Sequence, residues 1–399
     1  MRCSSGLLLL LLPCWLACCA PCWARRSVRT YTIDLDLPPA RRYDALVGDA
    51  ANGFNATVWK FWDGYFARDA ALRDVLYGIA EKRGPENAEM AGEIDGLAAA
   101  SGLPRAFVKG VQLLYELQTI MVPIVNFTGA PVDGIPEGYE ALARIPWRGP
   151  GCTGIVARNT DPADGSVWHA RNLDFAPVPI MTNLVYNAVF KKGGKELFKM
   201  QMIAGYTQAI TGFRPGADGF AIERNTRYTD HWGGNAEMLR NVESGRELNG
   251  WQLRKVFEEE ATYDAAVARV KSMPYASTEY AIMSGVNKGT IISRNPDDVA
   301  YVQTLGQPNF EEKKDYLIIT NFDFFFHDIR EHFDPTGGGG FAKPSRRVAA
   351  QTILNASTHI TPQVLFDTIN AEYVIADTVF QAIINVEKGV WNISQPDLM

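Results

Sequence analysis

Cys152 directly follows Gly151, where an irregular stretch gives way to the alternating segment Cys-Thr-Gly-Ile-Val-Ala157. A cut between the two residues would leave one residue carrying both a thiol and a free α-amine. An α-amine titrates near pH ~8, so it can take the proton of its own side chain without a separate histidine. The thiolate would attack a carbonyl, and the ammonium would return the proton to a leaving amine. The chain has six cysteines, Cys3, Cys14, Cys18, Cys19, Cys22 and Cys152, and the first five fall in an N-terminal leader. A lone thiol in an exported protein is either reactive or a small buried hydrophobe, and both readings stand on this fact alone.

Other residues could support such a nucleophile. His169 lies one strand period from Arg171 and could form a Cys–His dyad, although Cys152 lacks the sequence context of papain-like enzymes. Arg171 and Asp174 could flank the thiol or form a plain surface ion pair. Residues three apart on a strand face opposite sides, so both reach one site only if the strand ends or bulges between them. Asn321 could cap a turn or donate to an oxyanion, and Glu223 and Arg224 could be solvated hairpin residues. His231, His327, His332 and His359 show no metal-ligand spacing, and Gly337 to Gly340 lacks the Lys-Ser/Thr of a phosphate cradle. No metal or cofactor is expected.

The leader has a basic start at Arg2, an apolar run from Leu7 to Leu12 and a small residue, Ala24, before a cleavage point. It reads as a secretory signal peptide, residues 1–24, too short for a comfortable membrane span. Sequons at Asn55, Asn126, Asn355 and Asn392 fit a glycosylated secreted or lumenal product. The chain has 399 residues, is 47% hydrophobic, and sets 39 basic against 45 acidic side chains. That composition gives a sizeable core and excludes a basic nucleic-acid binder, a collagen, a coiled coil and a disordered chain.

These residues need a frame. Residues 31–37 alternate and stop at Pro38-Pro39, predicting an edge strand. Periodicity predicts helices across 44–120, broken at Gly84-Pro85. Residues 121–151 form a long irregular connection. Three hairpins follow, turning at Asp161–Gly165, Gly193-Gly194 and Pro215-Gly216. Helical periodicity over 250–272 precedes strands at 281–283, 290–293, 300–305 and 316–321. Helices Ser345–Leu354 and Pro362–Asn370, the latter capped by Thr361, lead to closing strands at 379–386 and 390–393. The fold class is α+β and layered.

The motifs resemble, in order along nearly the whole mature chain, those of the acid ceramidase family, which includes N-acylethanolamine acid amidase. They are Thr32-Ile-Asp-Leu-Asp-Leu-Pro-Pro39, Cys152-Thr-Gly-Ile-Val-Ala157 and His169-Ala-Arg-Asn-Leu-Asp-Phe175. Gly212-Phe-Arg-Pro-Gly216 with Ile222-Glu-Arg224, and Thr320-Asn-Phe-Asp323 with Arg346-Arg347, complete the set. The resemblance implies a four-layer αββα N-terminal-nucleophile hydrolase sandwich with a helical N-terminal segment. It implies cleavage between Gly151 and Cys152, giving an N-terminal subunit of 25–151 and a catalytic subunit of 152–399, associated non-covalently. Carried over by position, Cys152 is the nucleophile, Arg171 and Asp174 orient it and its amine, and Asn321 stabilises the oxyanion. Glu223 and Arg346 complete a charged network, with Arg346 chosen over Arg347 by family spacing.

The implied activity is hydrolysis of an N-acyl lipid in an acidic, lysosomal or secreted setting, with ceramide first and an N-acylethanolamine as the alternative. A lipid-presenting activator protein or an anionic lipid surface is the implied helper. Ile180-Met181, Phe190 and Phe324-Phe325-Phe326 could rim an apolar entrance or belong to the core. The chain departs from the family in having no second mature cysteine, in the length of 121–151, and in Gly154, where the family often has serine. Two other readings use the same scaffold: an inactive secreted lipid-binding protein, and an acylase for compact bile-salt or penicillin-like amides, which should reject long-chain ceramide.

Overall fold

The computed structural model describes residues 26–83, 87–121, 124–125, 131–133, 137–141, 151–175, 177–229, 234–308, 314–326, 344–375 and 377–396. The leader, Asn126, most of the 121–151 connection, His231, His327, His332 and Gly337 to Gly340 lie outside the described residues.

The strands are β1 (Arg26–Ser27), β2 (Thr30–Asp34), β3 (Ile124–Val125), β4 (Pro131–Asp133), β5 (Gly151–Arg158), β6 (Val167–Asp174), β7 (Val185–Lys192) and β8 (Lys195–Ile203). They continue with β9 (Thr211–Arg214), β10 (Phe220–Thr226), β11 (Glu279–Gly285), β12 (Lys288–Arg294), β13 (Val299–Thr304), β14 (Tyr316–Ile319), β15 (Thr378–Asn385) and β16 (Val390–Gln395). One sheet runs β1-β16-β15-β6-β5-β14 and the other β13-β12-β11-β10-β9-β8-β7-β2, while β3 and β4 pair only with each other. The parallel edge partner of β7 is β2, which ends at Asp34; Asp36 N–H turns back to Asp34 Oδ1, and Leu37 is exposed.

Period-two alternation sorts the side chains of both sheets into layers. Val156, Leu317 and Ile319 meet Tyr280, Ile282 and Ile291 between the sheets. On the other face of the first sheet, Ile155, Ala157, Ala170 and Ile383 pack on Ala350, Leu354, Leu365 and Ile369. Those four belong to helices taken up below as α10 (Arg346–Ala356) and α11 (Pro362–Asn370), capped by Ser345 and Thr361 side chains. The outer face of the second sheet carries α8 (Asn249–Glu259) and α9 (Tyr263–Ser272), where Phe257 stacks near Phe198 and Phe220. The result is the expected four-layer αββα sandwich.

The N-terminal helices are α1 (Asp44–Gly48), α2 (Phe54–Phe61), α3 (Ala70–Lys82), α4 (Ala88–Ser101) and α5 (Arg105–Met121), followed later by α6 (Val178–Thr182) and α7 (Asn235–Glu243). The sequence reading missed α7, a nine-residue helix whose Met238, Leu239 and Val242 are buried. It also ran α8 and α9 together; Glu260 is extended, and the Thr262 side chain caps α9.

Buried polar contacts fix the helical segment to the sandwich. Arg254 of α8 grips Glu93 of α4 through Nη1–Oε2 at 2.5 Å and Nη2–Oε1 at 2.7 Å, and Arg42 reaches Glu93 Oε1 at 2.9 Å. Gln112 of α5 donates to Gly205 O at 2.7 Å and accepts from Thr207 N–H at 3.0 Å. Removing one partner of such a pair leaves an uncompensated buried charge. Glu93→Ala should therefore cost about 3–5 kcal/mol of stability, read as a lower urea midpoint; Glu93→Gln should cost less because it still accepts.

Candidate active site

Cys152 is the second residue of β5 and is fully buried. It pairs with Leu173, while Gly151 pairs with Asp174 and Gly154 with Arg171. Strand alternation therefore sends Cys152, Gly154, His169 and Arg171 to the space between the sheets, and Asp174 to the face covered by α10.

Between the sheets, Arg171 Nη2 lies 3.6 Å from Cys152 Sγ. The same guanidinium donates to Ile210 O at 2.7 Å, Arg224 O at 3.1 Å and Thr211 Oγ1. Tyr115 Oη, from α5, is 3.8 Å from the sulfur and donates to Arg224 O at 3.0 Å. A phenol has one proton, so the thiol is the donor to Tyr115 Oη. Burial pushes the Cys152 thiol up, Arg171 opposes this, and Asp174 and Glu223 add to it. The sulfur is therefore held protonated.

On the other face, Arg346 at the first turn of α10 donates through Nη1 to Cys152 O at 2.8 Å and Asp174 Oδ2 at 3.0 Å, and through Nη2 to Asn321 Oδ1 at 2.6 Å. Thr378 Oγ1 holds the other Asp174 oxygen at 2.6 Å. Asn321 Oδ1 also accepts Cys152 N–H at 3.0 Å, while its Nδ2 donates to Thr226 O at 2.8 Å. Since Arg346 and the peptide N–H can only donate, the amide oxygen must face Cys152. Asn321 thus holds the backbone nitrogen of Cys152, and an oxyanion role would fall to its second Nδ2 hydrogen.

All six residues read from the sequence meet here: Cys152, Arg171, Asp174, Glu223, Asn321 and Arg346. The condition set for Arg171 and Asp174 does not hold: β6 runs unbroken through both. No bulge separates them; β6 ends at Asp174, and the two approach Cys152 from opposite faces, Asp174 by way of Arg346. Arg347 instead lies over the Phe324 ring at 3.8 Å. Both nitrogens of His169 are engaged, Nε2 with Glu223 Oε2 at 2.9 Å and Nδ1 with Ser284 Oγ at 3.1 Å, so it orients Glu223 rather than the thiol. Sequence reasoning gave neither Tyr115 nor Thr378 a role in the site; Tyr115-Glu-Leu resembles a segment of the family, but the likeness assigns the tyrosine no contact with the thiol.

Two glycines are demanded by these contacts. A Cβ on Gly151 would lie 2.9 Å from Arg346 Nη1, and one on Gly154 would lie 2.7 Å from Glu223 Oε1. Glu223 thus fills the space that the family's serine would need. Beside Tyr115, an apolar cavity is lined by Val111, Leu114, Phe175, Met181, Ile203, Tyr206 and Ile210. Of the suggested rim, Met181 lines this cavity, Phe190 is core, Phe324 and Phe325 are buried, and Phe326 is exposed. Among the described residues no cluster of His, Cys, Asp and Glu could hold a metal, and no helix is long and apolar enough to cross a membrane.

Gly154→Ser should push Glu223 off His169 and Arg171. The expected outcome is a folded protein whose Cys152-dependent activity falls at least ~10-fold, a loss of about 1.4 kcal/mol of transition-state stabilisation, measured against wild type at equal thermal midpoint.

No protein-family model matches the chain. Among curated proteins, it is 29% identical to "N-acylethanolamine-hydrolyzing acid amidase" of Caenorhabditis elegans over 320 residues, 79% of each chain. It is 26% identical over 381 residues to "Acid ceramidase" of Balaenoptera acutorostrata scammoni, covering 92% of this chain and 85% of that one. For the acid ceramidase of Homo sapiens the figures are 25% over 392 residues, with the same shares covered. A solved structure of the C. elegans N-acylethanolamine-hydrolyzing acid amidase ortholog matches with a TM-score of 0.48 and 25% identity, over 59% of this chain and 93% of that one. The chain is a homologue of the acid ceramidases and the N-acylethanolamine-hydrolyzing acid amidases, aligned with them along most of its length.

Proposed function

We propose that this chain is an amidase that cuts itself between Gly151 and Cys152 and then hydrolyses the amide bond of an N-acyl lipid, ceramide first. The carrying observation is the convergence on one buried thiol of Arg171 from one face and the Arg346–Asp174–Asn321 set from the other. Ceramide is put ahead of N-acylethanolamine on Gly212-Phe-Arg-Pro-Gly216 and Ile222-Glu-Arg224, which lean towards the ceramidase branch. The apolar cavity beside Tyr115 suits an acyl chain.

For the cut, Sγ–H adds to the carbonyl carbon of Gly151. The bond to the Cys152 nitrogen breaks as that nitrogen takes the proton, leaving a thioester. Water then splits the thioester into a Gly151 carboxylate and a free Cys152 with amine and thiol. Asn321 Oδ1, already accepting the Cys152 N–H, stays with the nitrogen throughout. In turnover that amine takes the thiol proton, the thiolate attacks the lipid amide, and the ammonium protonates the leaving amine. The acyl thioester then yields to water, releasing the fatty acid.

On this reading residues 25–151 and 152–399 become the two subunits, and the Glu93–Arg254 and Gln112–Gly205 contacts keep them together without a disulfide. The product is a glycoprotein of the secretory pathway, lysosomal or secreted. Asn55 and Asn355 are exposed and Asn392 partly so, which leaves them open to glycan attachment. An activator protein or anionic lipid surface would present the substrate.

N-terminal and intact-mass analysis at about pH 5, within the acidic range where carboxylates begin to take up protons and histidines become charged, tests the cut. Wild type should yield a fragment beginning at Cys152, and Cys152→Ala should stay whole and inactive. If both stay whole, the free-amine mechanism is excluded and the inactive lipid-binding reading replaces it. Parallel assays with ceramide and an N-acylethanolamine of equal acyl length decide the leaving group.

A further inference from the structure

A second charged group lies behind the nucleophile and takes no part in the chemistry above. Arg224 of β10 is fully buried and meets two carboxylates, Glu116 Oε1 of α5 at 2.9 Å and Glu279 Oε2 of β11 at 2.5 Å. Its Nη1 donates to Tyr206 Oη at 3.2 Å, its guanidinium stacks on the Tyr115 ring at 4.0 Å, and a Cβ on Gly250 would lie 2.2 Å from Nη1. The arginine is therefore locked from every side. Its own carbonyl accepts both Tyr115 Oη at 3.0 Å and Arg171 Nη2 at 3.1 Å, the two groups that touch the Cys152 sulfur.

The charge in this cluster does not balance: one guanidinium faces two carboxylates, and all three side chains are buried. Glu116 Oε2 and Glu279 Oε1 both lack a hydrogen-bond partner. Two orphaned buried carboxylate oxygens call for a proton, since a protonated carboxyl is both neutral and a donor. We infer that the Glu116–Arg224–Glu279 cluster is a positioning device for the nucleophile: a proton on Glu279 leaves one carboxylate against one guanidinium and so holds Arg224 in place, and through the Arg224 carbonyl the cluster fixes Tyr115 and Arg171 against Cys152.

The groups that face Glu279 are Arg224 from β10, Glu116 and Tyr115 from α5, Tyr206 after β8, Asn249 from α8, Tyr275 before β11, and Arg294 from β12. Asn249 Nδ2 donates to Glu279 Oε2 at 3.2 Å. Burial raises the Glu279 carboxyl to about 7, Arg224 opposes the rise and Glu116 adds to it. A carboxyl raised in the folded state favours folding while protonated. Its contribution is complete below the unfolded value of 4.5 and fades as the pH climbs through about 7. The cluster therefore loosens on passing from acid to neutral pH, and with it the placement of the two groups on the sulfur.

The inference rests on the amidase reading, and its test separates the two. Processing and lipid hydrolysis are measured from pH 4.5 to 8.5, a range of about two units either side of an ordinary histidine, for wild type, Glu279→Gln and Glu116→Gln. Wild type should lose activity about tenfold per pH unit on a neutral limb near 7, mainly in kcat. Glu279→Gln mimics the protonated carboxyl and should move that limb up by at least one pH unit. A limb that stays put, or a uniform loss at every pH, overturns the inference. If Glu279→Gln fails to fold, Glu116→Gln carries the same expectation, because either amide removes one of the two competing carboxylates.

A second measurement needs no activity. In the Cys152→Ala background, the thermal midpoint should fall between pH 5 and pH 7.5, and Glu279→Gln should flatten that fall; equal falls in both overturn the inference. If no variant processes or hydrolyses anything while the flattening is seen, the amidase reading has failed and the proton-holding cluster stands without its positioning role.

Discussion

One guanidinium ties the site together. Arg346 reaches Cys152 O, Asp174 Oδ2 and Asn321 Oδ1, three groups from strands or strand ends that only tertiary structure makes neighbours. Arginine suits the position because its planar fork serves several acceptors at once and stays charged when buried. The charge is matched by Asp174, itself held by Thr378, so the arrangement avoids the penalty of a lone buried ion. Serine at position 345 caps α10 with its side chain and so fixes the turn from which Arg346 projects. The cap, the helix and the charged fork are successive links of one local device.

The two faces of β5 and β6 divide the labour. The inter-sheet face brings Arg171 and Tyr115 to the sulfur, and the helix face brings Arg346 and Asp174 to the backbone of the same residue. This is possible because Cys152 is near the end of its strand, where backbone atoms are not all committed to the ladder. Its N–H goes to Asn321 Oδ1 and its carbonyl receives Arg346. A residue in the middle of the sheet would have neither group to offer.

Much of this was legible in the sequence, for identifiable reasons. Alternation after Cys152 and turn residues at Gly193-Gly194 and Pro215-Gly216 specify the hairpins, because strand periodicity and turn conformation are local properties. Thr361-Pro362 specifies the start of α11 for the same reason. The six site residues were legible only through ordered short motifs, since nothing local distinguishes Asn321 from a turn cap. Tyr115, Thr378 and the Glu116–Arg224–Glu279 cluster were not legible. Each depends on contacts across more than a hundred residues or between helix and sheet, and a helix-borne Tyr-Glu pair looks like any amphipathic turn. The short helix α7 escaped because nine residues carry too little periodicity to stand out.

Burial is what makes these placements consequential. The thiol is fully buried among the described residues. Gly151 lies nearest to the charged set on the helix face, with room for no Cβ between it and Arg346 or Asp174. On the proposed reading, the cut frees the chain at that point, and the carboxylate it creates at Gly151 stands beside both Arg346 and Asp174. The cut removes the covalent tie that holds Gly151 in its place in β5, so the residues up to 151 can leave the helix face of Cys152. The inter-sheet face, with Arg171 and Tyr115, is untouched by that departure. The nucleophile would keep its donors while gaining access, so an ordinary buried core cysteine and an active one differ here by a single peptide bond.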